Sequence, residues 1–161
     1  MLFETFPITT FDIDNKNKIL VTDFIRAIRV DPNLKNNDLF YTFYEAKDGE
    51  TPEVISHKFY KSTQYHWVIM LVNEKFDPWN DFPQSDYVIN KVAKEKYTDI
   101  NALHHYEDIN GNWVDEFYSE KFPITNIEYE RQLNEAKRTV KILKRDVLTS
   151  FVDQYKDLIS I

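Results

Sequence analysis

The chain is expected to fold as an α+β protein: a small strand–helix–helix core with an extended N-terminal arm, a β-hairpin and C-terminal helices. Three observations carry this expectation. Leu39 to Ala46 is rich in Tyr, Phe and Thr and runs into Asp48-Gly49, the pattern of a half-buried strand closed by a tight turn. Thr51-Pro52 then opens a helical stretch, and Tyr65, Val68, Ile69 and Val72 repeat at helical spacing just after it. Downstream, Asn110-Gly111 between Tyr106, Ile109 and Trp113, Val114 is a hairpin signal, while Leu148, Phe151, Val152, Tyr155 and Leu158 make one helical stripe. These signals divide the chain into an arm with a short helix (1–38), the strand–helix–helix module (39–83), and a helix, hairpin and helical extension (84–161).

Phe3, Phe6, Ile8, Phe11 and Ile13 stand among polar residues without helical spacing, which suits an extended arm with apolar pegs. Thr22-Asp23 starts a short amphipathic helix with Phe24, Ile25 and Ile28 on one face. Asp31-Pro32 ends it, because the residue before a proline avoids the helical region, and Asn33 to Asp38 is a polar connector. In the module, Gly49 supplies the positive φ of the turn, Thr51 is a natural N-cap, and Ile55 and Phe59 share a face. Asn73 is a left-handed stop. The second helix is apolar nearly all round, since Trp67, Met70 and Leu71 occupy its remaining faces. Either a later part of the chain or another subunit must therefore cover it.

Ser85-Asp86 caps a helix from Tyr87 to about Tyr97, with Val88, Ile89, Val92 and Ala93 facing inward. Asn101 to Tyr118 is the hairpin, which needs a neighbour because two strands alone are marginal in water. Thr125 or Asn126 opens a charged helix ending near Lys137. Arg138 to Leu143 is ambiguous: Val140, Leu143 and Val147 fit helical spacing, while Val140 and Ile142 fit a strand. A break is favoured there, before a last helix from about Arg145 to Ile159.

Composition narrows the function classes. With 42% hydrophobic and 29% charged residues, the 161-residue chain has the balance of a folded protein rather than a disordered one. The unusual features are 3 Trp, 10 Tyr and 12 Phe against only 2 Gly, a surplus of rings that favours cores and protein interfaces. A net charge of −7 argues against a non-specific grip on nucleic acid or an anionic membrane. The absence of Cys excludes disulfides and thiol chemistry. The longest apolar run, Trp67 to Val72, is far below the roughly 20 residues of a membrane span. No basic segment followed by an apolar one opens the chain, so no signal peptide is expected.

No catalytic, cofactor or metal site is expected. His104 and His105 are adjacent, and neighbours on a strand point to opposite faces, so they are not expected to chelate one ion together. Asp108 to Asn112 faintly echoes a calcium loop, but Trp113 stands where glycine is needed and Ser119 where a bidentate Glu is needed. There is no G-x-S-x-G, H-E-x-x-H or phosphate-cradling glycine loop. Trp67, Trp79, Phe82 and Trp113 have three readings: sugar-stacking rings, anchors in partner pockets, or core.

Tyr44, Gly49, Glu50, Thr51, Ile55, Phe59, Tyr60, Trp67 and Asn73 follow Y-x4-G-E-T-x3-I-x3-F-Y…N, a stretch that resembles a LysM module. A wider set occurs in one order. It comprises the opening Met-Leu-Phe-Glu-Thr-Phe-Pro, Tyr65-His66-Trp67, Asp77-Pro78-Trp79, Asp81-Phe82-Pro83, the His-Tyr-Glu-Asp…Asn-Gly-Asn hairpin and Glu128-Tyr129-Glu130…Asn134 to Arg138. Together these resemble the LysM-like baseplate wedge subunit of contractile-tailed, T-even-like bacteriophages. The resemblance implies a non-enzymatic virion protein, assembled in the host cytoplasm, that joins other wedge subunits and neighbouring wedges around the hub. It places partner contacts at Phe3, Phe6, Trp67, Asp77, Pro78, Trp79, Phe82, Trp113, Tyr129 and Arg138. The alternative is a glycan-binding LysM protein that recognises N-acetylglucosamine polymers of the cell wall. Against it, the loop Phe76 to Pro83 carries bulky rings where an ordinary module has a glycine-containing return.

Overall fold

The strand rich in Tyr and Thr forms as β3 (Tyr41–Glu45), and Gly49, at φ +72°, turns the chain behind it. Helix α2 (Pro52–Tyr60) follows with Pro52 in its first turn, where a missing N–H costs nothing. Thr51 occupies the N-cap position but its side chain makes no capping bond, contrary to expectation. A one-turn 3-10 helix (Thr63–Tyr65) leads into α3 (His66–Val72). The left-handed residue after α3 is Glu74 (φ 53°), not Asn73. This computed structural model describes residues 6–12, 18–23 and 28–160.

The partner of β3 comes from far downstream. β7 (Thr139–Leu143) pairs with it antiparallel, Tyr41 opposite Leu143 and Glu45 opposite Thr139. The ambiguous stretch is therefore a strand, and the break before α6 (Arg145–Ser160) is real. Ile55, Val68, Ile69 and Val72 pack with Val140, Ile142 and Leu143, and Leu148, Phe151 and Val152 of α6 close the cluster. Burying side chains of this size contributes roughly 1.5–3 kcal/mol each. The apolar α3 is covered by later parts of the chain: β7 packs on one side of it and α6 meets Trp67 on another, the Trp67 ring lying 6.4 Å from Phe151 and 4.9 Å from Tyr155. Within the stripe of α6 the inward residue near its end is Ile159; Leu158 points to solvent.

A second, smaller lobe is built from α4 (Asp86–Lys96), β4 (Leu103–Glu107), β5 (Trp113–Val114), β6 (Phe122–Thr125) and α5 (Asn126–Glu135). The hairpin forms with Gly111 at φ +78°, and β6 adds a third strand on the other side of β4. That third strand is what the sequence reading lacked. Thr125 caps α5 in a reciprocal box: it accepts from the Glu128 backbone N–H while the Glu128 carboxylate accepts from the Thr125 N–H. Only Ile89, Ala93 and Ile127 are buried apolar residues here. Val92 is exposed and Val88 half-buried, which corrects the expected inward face of α4.

Ahead of the core, β1 (Ile8–Asp12) and β2 (Lys18–Thr22) pair as an antiparallel ribbon, so the arm is extended as expected but doubled back on itself. Thr22 belongs to β2 and Ile28 to Val30 form no regular element. Residues 24–27 of the expected helix, like Phe3, lie outside the described residues. Asp31 does not end a helix but starts one: its carboxylate caps α1 (Pro32–Lys35), accepting from Asn33 N–H at 2.7 Å. Among the described residues no helix is long and apolar enough to cross a membrane.

Candidate protein–protein interface

The loop joining α3 to α4 carries the first group of expected contact residues, and it is held by its own carboxylates. Asp77 Oδ1 accepts from the backbone N–H of Trp79 (2.9 Å) and Asn80 (3.0 Å), and its Oδ2 accepts from the Asn80 amide (2.6 Å). Asp81 in turn accepts from the Asp77 N–H at 2.8 Å. The Asn80 backbone and amide, followed by the Trp79 N–H, hold the Asp77 carboxyl below its ordinary value, because each donates to the charged form. The loop is also tied outward. Asn134 of α5 makes two bonds to the Gln84 backbone, Gly49 N–H donates to Pro83 at 3.0 Å, and the Lys75 ammonium donates to the Lys137 carbonyl.

This bracing presents Trp79 71% exposed and Phe76 69% exposed on a fixed turn. The two rings face two grooves. Phe76 and Pro78 line one with Trp67, Met70, Leu71 and Tyr155 of α3 and α6. Trp79 lines the other with Val88 and Val92 of α4 and Leu133 of α5. Phe82, expected among the contact residues, is corrected: at 1% exposure it is core, with the Lys75 ammonium 5.1 Å above its ring. Trp67 is half-buried against α6 and lines the first groove.

The second group gathers on the small lobe. The Trp113 ring stacks on His105 (3.9 Å) and Tyr129 on His104 (4.0 Å), with Trp113 still 62% exposed. The two histidines do not point apart as strand alternation required. Pairing slips between Leu103 and His105, and this bulge turns His104 onto the side of His105. Their Nδ1 atoms lie 2.8 Å apart, while His105 Nε2 is 2.9 Å from Glu107, which also accepts from Gln132 at 3.0 Å. Glu107 is placed to accept from an Nε2–H of His105, and the 2.8 Å contact between the two Nδ1 atoms holds one proton. Burial, then the neighbouring His105 and the Lys96 ammonium, push the His104 pKa down. Among the described residues no three potential ligands converge on a metal position.

Arg138 is occupied by its own chain. It donates to the Ala46 carbonyl (2.9 Å), to Asp48 (2.7 Å) and to Glu135 (2.8 Å), pinning the β3 turn to the end of α5. Phe6 is half-buried just ahead of β1. Sequence reasoning noted Phe76 in the aromatic loop without placing it among the contact residues, and passed over Phe117, 87% exposed in the turn after β5.

No curated protein matches the chain. Residues 1–125, well over half of the chain and everything from the N-terminal ribbon to the third strand of the small lobe, match the family model described as base plate wedge protein 53. The chain belongs to this family of structural phage baseplate wedge proteins.

Proposed function

We propose that the chain is a joining piece of a contractile-tail baseplate, bound to other wedge subunits and to neighbouring wedges around the hub. The observation that carries this reading is the braced loop of Phe76, Pro78 and Trp79, with an apolar groove on either side. Fixing an exposed tryptophan before contact removes much of the ordering cost of binding, and rigid aromatic anchors dominate interface energetics. The core of β3, α2, α3 and β7 is read as a LysM-like fold used for protein contacts. Trp113, with the Tyr129 ring edge-on to it at 6.0 Å, is a second contact surface. Assembly takes place in the host cytoplasm.

The test is Trp79→Ala. Far-UV dichroism should stay intact, while incorporation of the variant into tails should fall by about tenfold or more, the scale of a hot-spot truncation. Unchanged incorporation would remove the loop from the interface. The glycan alternative has its own readout: saturable retention on purified peptidoglycan or chitin at physiological salt would favour sugar recognition over assembly.

A further inference from the structure

The two edges of the β3–β7 sheet are treated differently. Ala46 N–H donates to the Arg138 carbonyl and Lys144 N–H to the Phe40 carbonyl, so the even-numbered residues of β3 bond inward to β7. Tyr41, Phe43 and Glu45 then point their backbone groups away from it, as Lys141 and Leu143 do on the far side of β7. On that far side the groups are closed by side chains. Asn73 spans Lys141 with two bonds of 2.8 Å, donating to its carbonyl and accepting from its N–H, and the Tyr60 hydroxyl donates to the Leu143 carbonyl at 2.9 Å. On the outer edge of β3 the Tyr41 N–H donates to the Asp38 carbonyl, and among the described residues nothing pairs with the backbone of Phe43 and Glu45. No proline or bulge interrupts this edge, and Phe43 stands 51% exposed at its centre.

We infer that the outer edge of β3 receives an extended strand from a different polypeptide of the baseplate. This rests on the wedge-joining reading above. The chemistry of the occupant follows from the edge: a stretch without proline at its pairing positions, with an apolar side chain against Phe43. A second copy of this chain is a poor occupant. Two β3 strands paired about Phe43 would bring together little exposed apolar surface beyond Phe43 and Leu39, against the roughly 1,200–2,000 Å² of a specific interface. A strand delivered by an already docked neighbour needs less, because tethering raises its effective concentration.

Single-amide hydrogen exchange on the full chain, free and within purified tails, tests this. Exchange at Phe43 and Glu45 should slow by about 100-fold or more in tails, while Tyr41, already bonded to Asp38, and Thr42 and Tyr44, already bonded to β7, change little. Fast exchange at these two outward amides of an incorporated chain would overturn the inference and leave the joining role standing. Absence of the chain from tails would overturn both. Phe43→Pro and Phe43→Ala separate backbone from ring. Proline removes only an outward N–H and is tolerated on an edge, so it should reduce incorporation by about tenfold or more, whereas alanine should cost about threefold at most. Equal losses would assign the contact to the ring and reject strand addition.

Discussion

Around β3 and β7 the protein buries Ile55, Val68, Ile69, Val140, Ile142 and Leu143, and Ser56 is the single buried polar residue among the described ones there. The small lobe is the reverse. It buries three apolar residues, yet seals in Glu107, Asn126, Glu130 and Asn134. Each of these has a partner: Glu130 takes the Lys96 ammonium at 2.6 Å and the Tyr97 hydroxyl at 2.9 Å, and Asn126 donates to the Asp99 carbonyl at 2.8 Å. Burial works against the Glu130 charge, but Lys96 and Tyr97 together outweigh it and hold its carboxyl below the ordinary value. Apolar burial is non-directional, so it fixes a fold without fixing the aim of a surface ring. Hydrogen bonds have geometry, and the lobe that relies on them is the one that aims Trp113 and, through Asn134, braces the Trp79 loop.

The contrast predicts unequal damage. Phe82→Ala opens a cavity in the main core and should cost about 3–5 kcal/mol, read as a large fall in the urea midpoint. Asn134→Ala leaves both backbone groups of Gln84 without their partner and should cost about 1–3 kcal/mol. Native-state hydrogen exchange should localise that second loss to the small lobe and the loop at Gln84, with β3 and β7 still protected. If Asn134→Ala instead loosened both lobes equally, the two would be one cooperative unit and the comparison would fail. Thr125→Ala removes one half of the capping box and should cost about 1 kcal/mol, again confined to α5.

The same contrast explains what the sequence disclosed. Elements that rest on local chemistry were legible: the turn at Gly49, Pro52 at a helix start, the Asn110-Gly111 hairpin and the Thr125 cap all appear where they were expected. What depended on distant partners was not. β7 was ambiguous because Val140 satisfies both periods, and only pairing with β3, about 100 residues away, decides between them. β6 was hidden by Pro123, which reads as a breaker but sits on an edge strand, where proline is admitted. The histidine pair was misjudged because alternation assumes an unbroken ladder, and a bulge is invisible without the partner strand. Of the expected contact residues, Trp79 and Trp113 are exposed and Phe82 is core; composition cannot make that distinction.

The gentlest perturbation is a proton. His104 faces His105 and Trp113 from the hairpin, Tyr129 and Glu130 from α5, and Tyr97 with Lys96 from the end of α4. Its pKa is lowered from the ordinary 6.5 in the folded chain, so the unfolded chain binds the proton more readily as pH falls below that value. Stability is therefore fully present above pH 6.5 and declines as pH falls toward the depressed folded value. Geometry adds a second reason, since a proton on both Nδ1 atoms cannot be held at a 2.8 Å contact. Acidification through the depressed folded value, which lies below pH 6.5, should accordingly alter the emission of Trp113, stacked on His105, while the main-core amides keep their protection. His104→Phe, which keeps a ring against Tyr129 but cannot titrate, should abolish that step. Persistence of the step in His104→Phe would move its origin to another group and leave the polar lobe no more sensitive to pH in this range than the apolar one.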